Sequence, residues 1–158
     1  MDGIRTAQAE DVPGMVALSE QYRRRLETYQ PVFWRRAEDA AAAQTEYFHS
    51  LLQRPEVIAL VHKAVSGLAG FLIATLQAAP PVYAPGGLTC VIDDFCIGEE
   101  TYWPTAGVAL LHEANRRAKE RGAVQVVVVC PHRDQAKLTL LAAEGLTIAS
   151  EWHTRTIE

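Results

Sequence analysis

The stretch VIDDFCIGEETYWPTAGVALLHEANRRAKERG, residues 91–122, holds two secondary-structure signals in direct succession. Leu88 to Ile97 is an apolar and β-branched run that contains one acidic pair, Asp93-Asp94, and predicts a strand. Thr105 to Arg121 carries apolar residues at helical spacing and stops at Gly122, the residue type that closes helices in the left-handed region. A strand that feeds a helix through a short loop aims unpaired N–H groups and the positive end of the helix dipole at one point, which suits a phosphate. That point falls near Thr105.

Downstream, Val124 to Cys130 is an unbroken apolar run of the kind found in central buried strands. Asp134 to Ala143 predicts a helix with Gly145 just past it, and Leu146 to Trp152 and Thr154 to Ile157 predict two last short strands. Upstream, Val57 to Lys63 and Leu68 to Leu76 read as strands joined by Ala64-Val65-Ser66-Gly67, a hairpin. Ala78 to Gly87 contains Pro80, Pro81 and Pro85 and predicts a loop. Ile4 to Thr6 is a short strand, and Val12, Met15, Val16, Leu18 and Tyr22 lie at helical spacing behind it. Pro31 breaks that pattern in the aromatic segment Tyr29 to Trp34, and a second helix over Ala37 to Gln53 ends before Pro55. The order is β-α-α-β-β-β-α-β-α-β-β. It predicts one α/β (α+β) domain over residues 1–158, with a mixed, mostly antiparallel sheet of about seven strands and four helices.

A chain of 158 residues buries enough apolar surface to need no disulfide or metal staple. Fifteen Lys and Arg against nineteen Asp and Glu give a net charge of -4, without the basic excess that a nucleic-acid backbone demands. Cys90, Cys96 and Cys130 sit in or beside apolar runs and read as reduced core thiols. Met1 to Glu10 has no apolar leader, and no run reaches the roughly 20 apolar residues that span a bilayer, so a cytoplasmic location is expected. His49, His62, His112 and His153 make no pair at metal-ligand spacing, and no metal is expected.

The segment Ile92 to Leu111 resembles, without a gap, the core of the GCN5-related N-acetyltransferases. In that family an acidic strand is followed by Arg or Gln, x, x, Gly, x, Gly or Ala, and a helix rich in Ala and Leu. Counting back from Ala109-Leu110-Leu111 sets Tyr102 at the Arg or Gln, Thr105 at the first Gly and Gly107 at the second. The resemblance implies acetyl-CoA as co-substrate. Backbone groups of Phe95, Cys96 and Ile97 would pair with its pantetheine arm, and the N–H groups around Tyr102, Trp103, Thr105, Ala106, Gly107 and Val108 would cradle its pyrophosphate. Pro104 has no N–H to contribute, and Thr105 adds a Cβ and a hydroxyl where the family has none. Asp134 to Leu146 is similar to the family's next helix, with Asp134 at a CoA-contacting Asn and Leu141 at the Tyr that protonates the leaving thiolate. A homodimer is a further implication.

The reaction so implied is transfer of acetyl to a primary amine of a small molecule or peptide by direct attack. The alternative is a CoA-binding or regulatory module of the same fold. Amine attack needs a base, and Asp93 and Asp94 are candidates, with Glu99 and Glu100 beside them on the loop. On a regular strand Asp93 and Asp94 face opposite sides, so one of them at most reaches a cleft. Cys96 as a nucleophile lacks an activating His at a recognisable spacing, and His132 behind the strand Val124 to Cys130 is a minor candidate. Phe33 and Trp34 are candidate walls of an acceptor site and Tyr83 a candidate for its mouth. The arginines Arg23 to Arg25, Arg35 and Arg36 read as solvated faces.

Overall fold

The computed structural model describes residues 3–158; Met1 and Asp2, the start of the segment read for a leader, lie outside them. Five strands form one sheet in the order β1 (Ile4–Thr6), β2 (Val57–Lys63), β3 (Leu68–Gln77), β4 (Leu88–Ile97), β5 (Ala123–Val128). Every pairing is antiparallel except β4 with β5, which are joined through a helix. The helices are α1 (Val12–Tyr29), α2 (Ala40–Leu51), α3 (Val108–Glu120) and α4 (Gln135–Ala143).

Strand periodicity divides the core into two layers. On β3, Phe71 and Ile73 face α1 and α2, where they join Met15, Phe48 and Val61, while Leu72, Ala74 and Leu76 face α3 and α4 with Phe95, Leu110 and Leu111. Phe48 and Phe71 meet edge to face at 5.6 Å between ring centres, an arrangement that sets the height of α2 above the sheet.

Three expectations are corrected. The sheet has five strands where about seven were expected, because residues 146–158 run without strand pairing. β5 is consequently an edge strand with Val124 and Val127 exposed. An apolar run does not distinguish a strand buried on both faces from one that awaits a neighbour. The expected helix at Thr105 begins earlier: a 3-10 turn at Glu100–Tyr102 passes into a wide π turn at Trp103–Gly107 and then into α3. Pro104 has no N–H for the tighter pattern, and the backbone closes one residue late, Val108 N–H reaching Trp103 O.

Candidate functional site

The site begins where β4 and β5 part. Their ladder runs from Leu88 opposite Ala123 to Ile92 opposite Val128 and closes with Val129 N–H on Ile92 O at 2.9 Å. On its other side β4 carries a bulge: Ile73 pairs with Asp94 and Ala74 with Ile92, so Asp93 is the inserted residue. Beyond these points the strands diverge around a cleft of about 300 Å³, walled by Tyr22, Phe33, Trp34, Asp93, Asp94 and Lys137 among others. The bulge breaks the alternation that a regular strand would impose. Both Asp93 and Asp94 therefore reach the cleft, where at most one was expected.

The two carboxylates differ in environment. Asp93 is exposed, whereas Asp94 is half-buried and its carboxyl is pushed up to about 6, first by burial and then by the charge of Asp93, with Lys137 and Arg23 pulling the other way. A carboxylate near neutrality accepts a proton from an ammonium more readily than an ordinary one. Glu99 is exposed and outside the cleft lining, and Glu100 receives Arg25 at 3.2 Å.

Lys137 lies across the cleft from the acidic pair on the first turn of α4. It is 1% exposed, and its ammonium sits 5.1 Å from the centre of the Tyr22 ring, 5.5 Å from Phe95 and 5.6 Å from Trp103. Three ring faces replace part of its hydration, and among the described residues no carboxylate stands within salt-bridge distance of it. Tyr22 donates its hydroxyl to Asp134 at 2.6 Å, and Asp134 caps α4 by accepting the Lys137 N–H at 3.2 Å. Burial and the Asp134 charge both push the Tyr22 phenol far up, so it stays protonated. Asp134, the expected CoA contact, is itself buried and occupied with these two bonds.

Neither Lys137 nor Tyr22 stood out in the sequence as a site residue. The available signal was a lysine one turn from Leu140 and Leu141 on the buried side of a helix. Of the arginines, Arg35 and Arg36 are exposed as expected and border the cleft together with half-buried Arg23, Glu20 holding Arg23 at 2.9 Å and Arg36 at 3.2 Å. Ser19 Oγ and Gln44 Oε1 are buried along the same wall and have no hydrogen-bond partner among the described residues.

The remaining candidates separate cleanly. Phe33 and Trp34 do wall the cleft, ring centres 4.6 Å apart and nearly perpendicular, while Tyr83 is exposed and outside the lining. The Cys96 thiol is pushed up to about 12, chiefly by burial, which starves it of thiolate and leaves it a packing residue. His132 is exposed.

The turn read as a phosphate cradle is largely satisfied internally. Tyr102 N–H bonds Glu99 O, Trp103 N–H bonds Glu100 O, and Val108 N–H is taken by Trp103 O and Thr105 O. Ala106 and Gly107 are buried within the wide turn, Thr105 is exposed, and its hydroxyl points back to Tyr102 O at 3.3 Å. Trp103 is buried against Phe95 at 4.9 Å and belongs to the core. Gly107 serves packing: a Cβ there would stand 2.8 Å from Trp103 Cε3 and 2.9 Å from Leu140 Cδ1.

No protein-family model matches the sequence, and no curated protein matches it. Solved structures do. A tetramutant of the BH1408 protein of Bacillus halodurans superposes with TM-score 0.82 at 14% identity, over 98% of this chain and 99% of that one. A transcriptional regulator from Bacillus halodurans C-125 gives 0.73 at 18% identity, over 98% of both chains. The aminoglycoside N-acetyltransferase AAC(6')-Iy, solved in complex with CoA, gives 0.73 at 10% identity, over 98% of this chain and 93% of that one. The chain has the GCN5-related N-acetyltransferase fold. No helix among the described residues is long and apolar enough to cross a membrane, and no group of three potential ligands stands ready for a metal.

Proposed function

We propose that the chain is an acyltransferase that moves acetyl from acetyl-CoA to a primary amine of a small molecule or peptide, by direct attack in the cleft between β4 and β5. The observation that carries this reading is the parting of the two strands after Ile92, with Asp94 aimed into the gap and its carboxyl raised to about 6. The same parting leaves the backbone edge of Asp93 to Ile97 without a β5 partner, and a strand edge of that kind suits the amide groups of a pantetheine arm. Phe95, Cys96 and Ile97 would supply those groups, and the turn that leads into α3 would face the pyrophosphate.

The residues divide the chemistry between two walls. Asp94 accepts a proton from the acceptor ammonium, and the freed amine attacks the thioester carbon. As the carbon–sulfur bond breaks, its electron pair stays on sulfur, and the Lys137 ammonium gives that sulfur a proton. Lys137 then regains one from the amide nitrogen, so the net proton released is the one Asp94 passes to solvent. Leu141, where the family resemblance sets a tyrosine, is apolar, and Lys137 one turn earlier on α4 brings a donor to the same wall. Each proton transfer of this kind is worth about 10²–10⁴ in rate. Phe33 and Trp34 form the acceptor wall.

Calorimetric titration with acetyl-CoA, followed by thiol release with a panel of primary amines, tests the proposal. Binding with amine-dependent thiol release is expected, and no binding at millimolar acetyl-CoA would sink it. The wound, Pro104-containing turn before α3 favours one second reading, a CoA-binding module with weak catalysis, which predicts binding without thiol release above background.

A further inference from the structure

We propose that the cleft is a site for a free amino acid with an apolar or aromatic side chain, the acceptor of the acyl transfer, its ammonium toward Asp93 and Asp94 and its carboxylate toward the arginine side, where Arg35 is open.

The charges that line the cleft are sorted by position. Asp93 and Asp94 stand on β4 with Lys137 across from them, whereas Arg23 comes from α1 and Arg35 and Arg36 from the loop between α1 and α2. Four cations thus face two carboxylates, an excess that a plain amine would increase. Glu20 offsets part of it, one oxygen receiving Arg23 at 2.9 Å and the other Arg36 at 3.2 Å, and Glu27 accepts the Arg36 backbone N–H at 3.0 Å. Arg35 differs. Among the described residues no carboxylate stands within salt-bridge distance of it. A guanidinium left open at a cleft presents the fork that receives a carboxylate through two parallel bonds.

The same wall holds a second, independent observation. Ser19, Tyr22, Arg23 and Leu26 recur at helical spacing and turn one stripe of α1 to the cleft. Ser19 is 3% exposed, and neither its Oγ nor Gln44 Oε1 has a hydrogen-bond partner among the described residues. Buried groups in that state call for a ligand that both donates and accepts, and the head of an amino acid does both. Phe33 and Trp34 give its side chain an apolar wall. The N-terminal amine of a peptide has no carboxylate beside it, so the arginine side favours the free amino acid.

The ammonium end of this ligand rests on the acyltransferase reading, and the carboxylate end on Arg35 and the unpartnered groups. In the transfer an N–C bond forms and the thioester C–S bond breaks. The ammonium nitrogen sheds two protons, one through Asp94 to solvent and one that ends on sulfur, while the carboxylate is unchanged.

Calorimetric titration of the full chain without CoA tests this, with L-phenylalanine and L-leucine as ligands and phenylalaninamide and phenethylamine as amines that lack the carboxylate. L-phenylalanine should bind about 10- to 100-fold more tightly than either of its two analogues, the span of one charge-assisted contact. Arg35→Gln should erase that difference and keep the wild-type melting temperature, because Arg35 is exposed and forms no ion pair among the described residues. Analogues that bind as tightly as L-phenylalanine overturn the proposal, as does an Arg35→Gln protein that keeps the difference. Failure of both amino acids to bind at their highest soluble concentrations overturns it too. Thiol release from acetyl-CoA with the same four compounds separates this proposal from the reaction itself. Release with phenethylamine but with neither amino acid overturns the amino-acid site and leaves acyl transfer standing. Carboxylate-dependent binding with no release from any compound supports the amino-acid site and overturns acyl transfer.

Discussion

Replacing Asp94 by asparagine should make the protein more stable and nearly inactive. The Asp94 carboxyl moves from an ordinary 3.8 to about 6 on folding, because the cleft buries it beside Asp93. The unfolded chain therefore holds this group ionised more readily than the folded chain does, and at pH 8 the folded state bears the cost. Two pH units at 1.36 kcal/mol each give an upper bound of roughly 3 kcal/mol, and partial access to solvent brings the expected gain of Asp94→Asn to about 1–2 kcal/mol. The gain should be full above pH 6, shrink as pH falls through the folded value, and vanish below 3.8, where aspartic acid is neutral in both states. Urea denaturation of both proteins from pH 4 to pH 8 measures it, and acyl transfer at pH 8 should fall about 10²–10⁴-fold in the same variant. Equal stability of the two proteins at pH 8, or a gain that persists at pH 4, would refute the assignment of Asp94 as a desolvated carboxylate.

Lys137→Met should fold, since an apolar chain of similar length suits three aromatic rings, while acyl transfer drops about 100-fold. Because the Lys137 charge holds the Asp94 carboxyl down, the pH midpoint of any residual activity should move upward, which a pH–rate profile reads directly. Gly107→Ala should cost about 1–3 kcal/mol in thermal denaturation, because its Cβ would stand 2.8 Å from Trp103 Cε3. Asp11→Asn breaks the two-pronged contact with Arg5 at 2.6 and 2.7 Å and should cost about 1 kcal/mol at neutral pH. The Arg5 bond holds the Asp11 carboxyl below 3.8, so that cost should fade as pH drops below 3.8, as denaturation at low pH will check. Cys96→Ala should retain acyl transfer in the thiol-release assay; loss of activity in a folded variant would restore a nucleophilic role to the thiol.

Strand and helix identity was legible wherever the local signal was strong. β2 and β4 fall where their apolar runs begin and end, and α4 begins one residue after Asp134 as its capping residue suggests. The acidic pair was legible as a candidate base, and so were Phe33 and Trp34 as walls. What misled was anything that depends on a neighbour. Residues 146–158 have strand composition, but a strand exists only when another edge accepts its hydrogen bonds. The phosphate turn has a family-like length, yet Pro104 changes which N–H groups remain open.

By itself the sequence determined the mixed α/β order of the strands and helices up to α4 and the position of the acidic strand, because composition and periodicity act through near neighbours. Only the tertiary structure decided that Asp93 and Asp94 share one cleft, through a bulge that needs β3 to define it. It also decided that Lys137 faces them from α4, and that β5 is left with an open edge. Each of these is a relation between residues distant in the chain, and the energies that set it, desolvation and strand pairing, arise only when those residues meet.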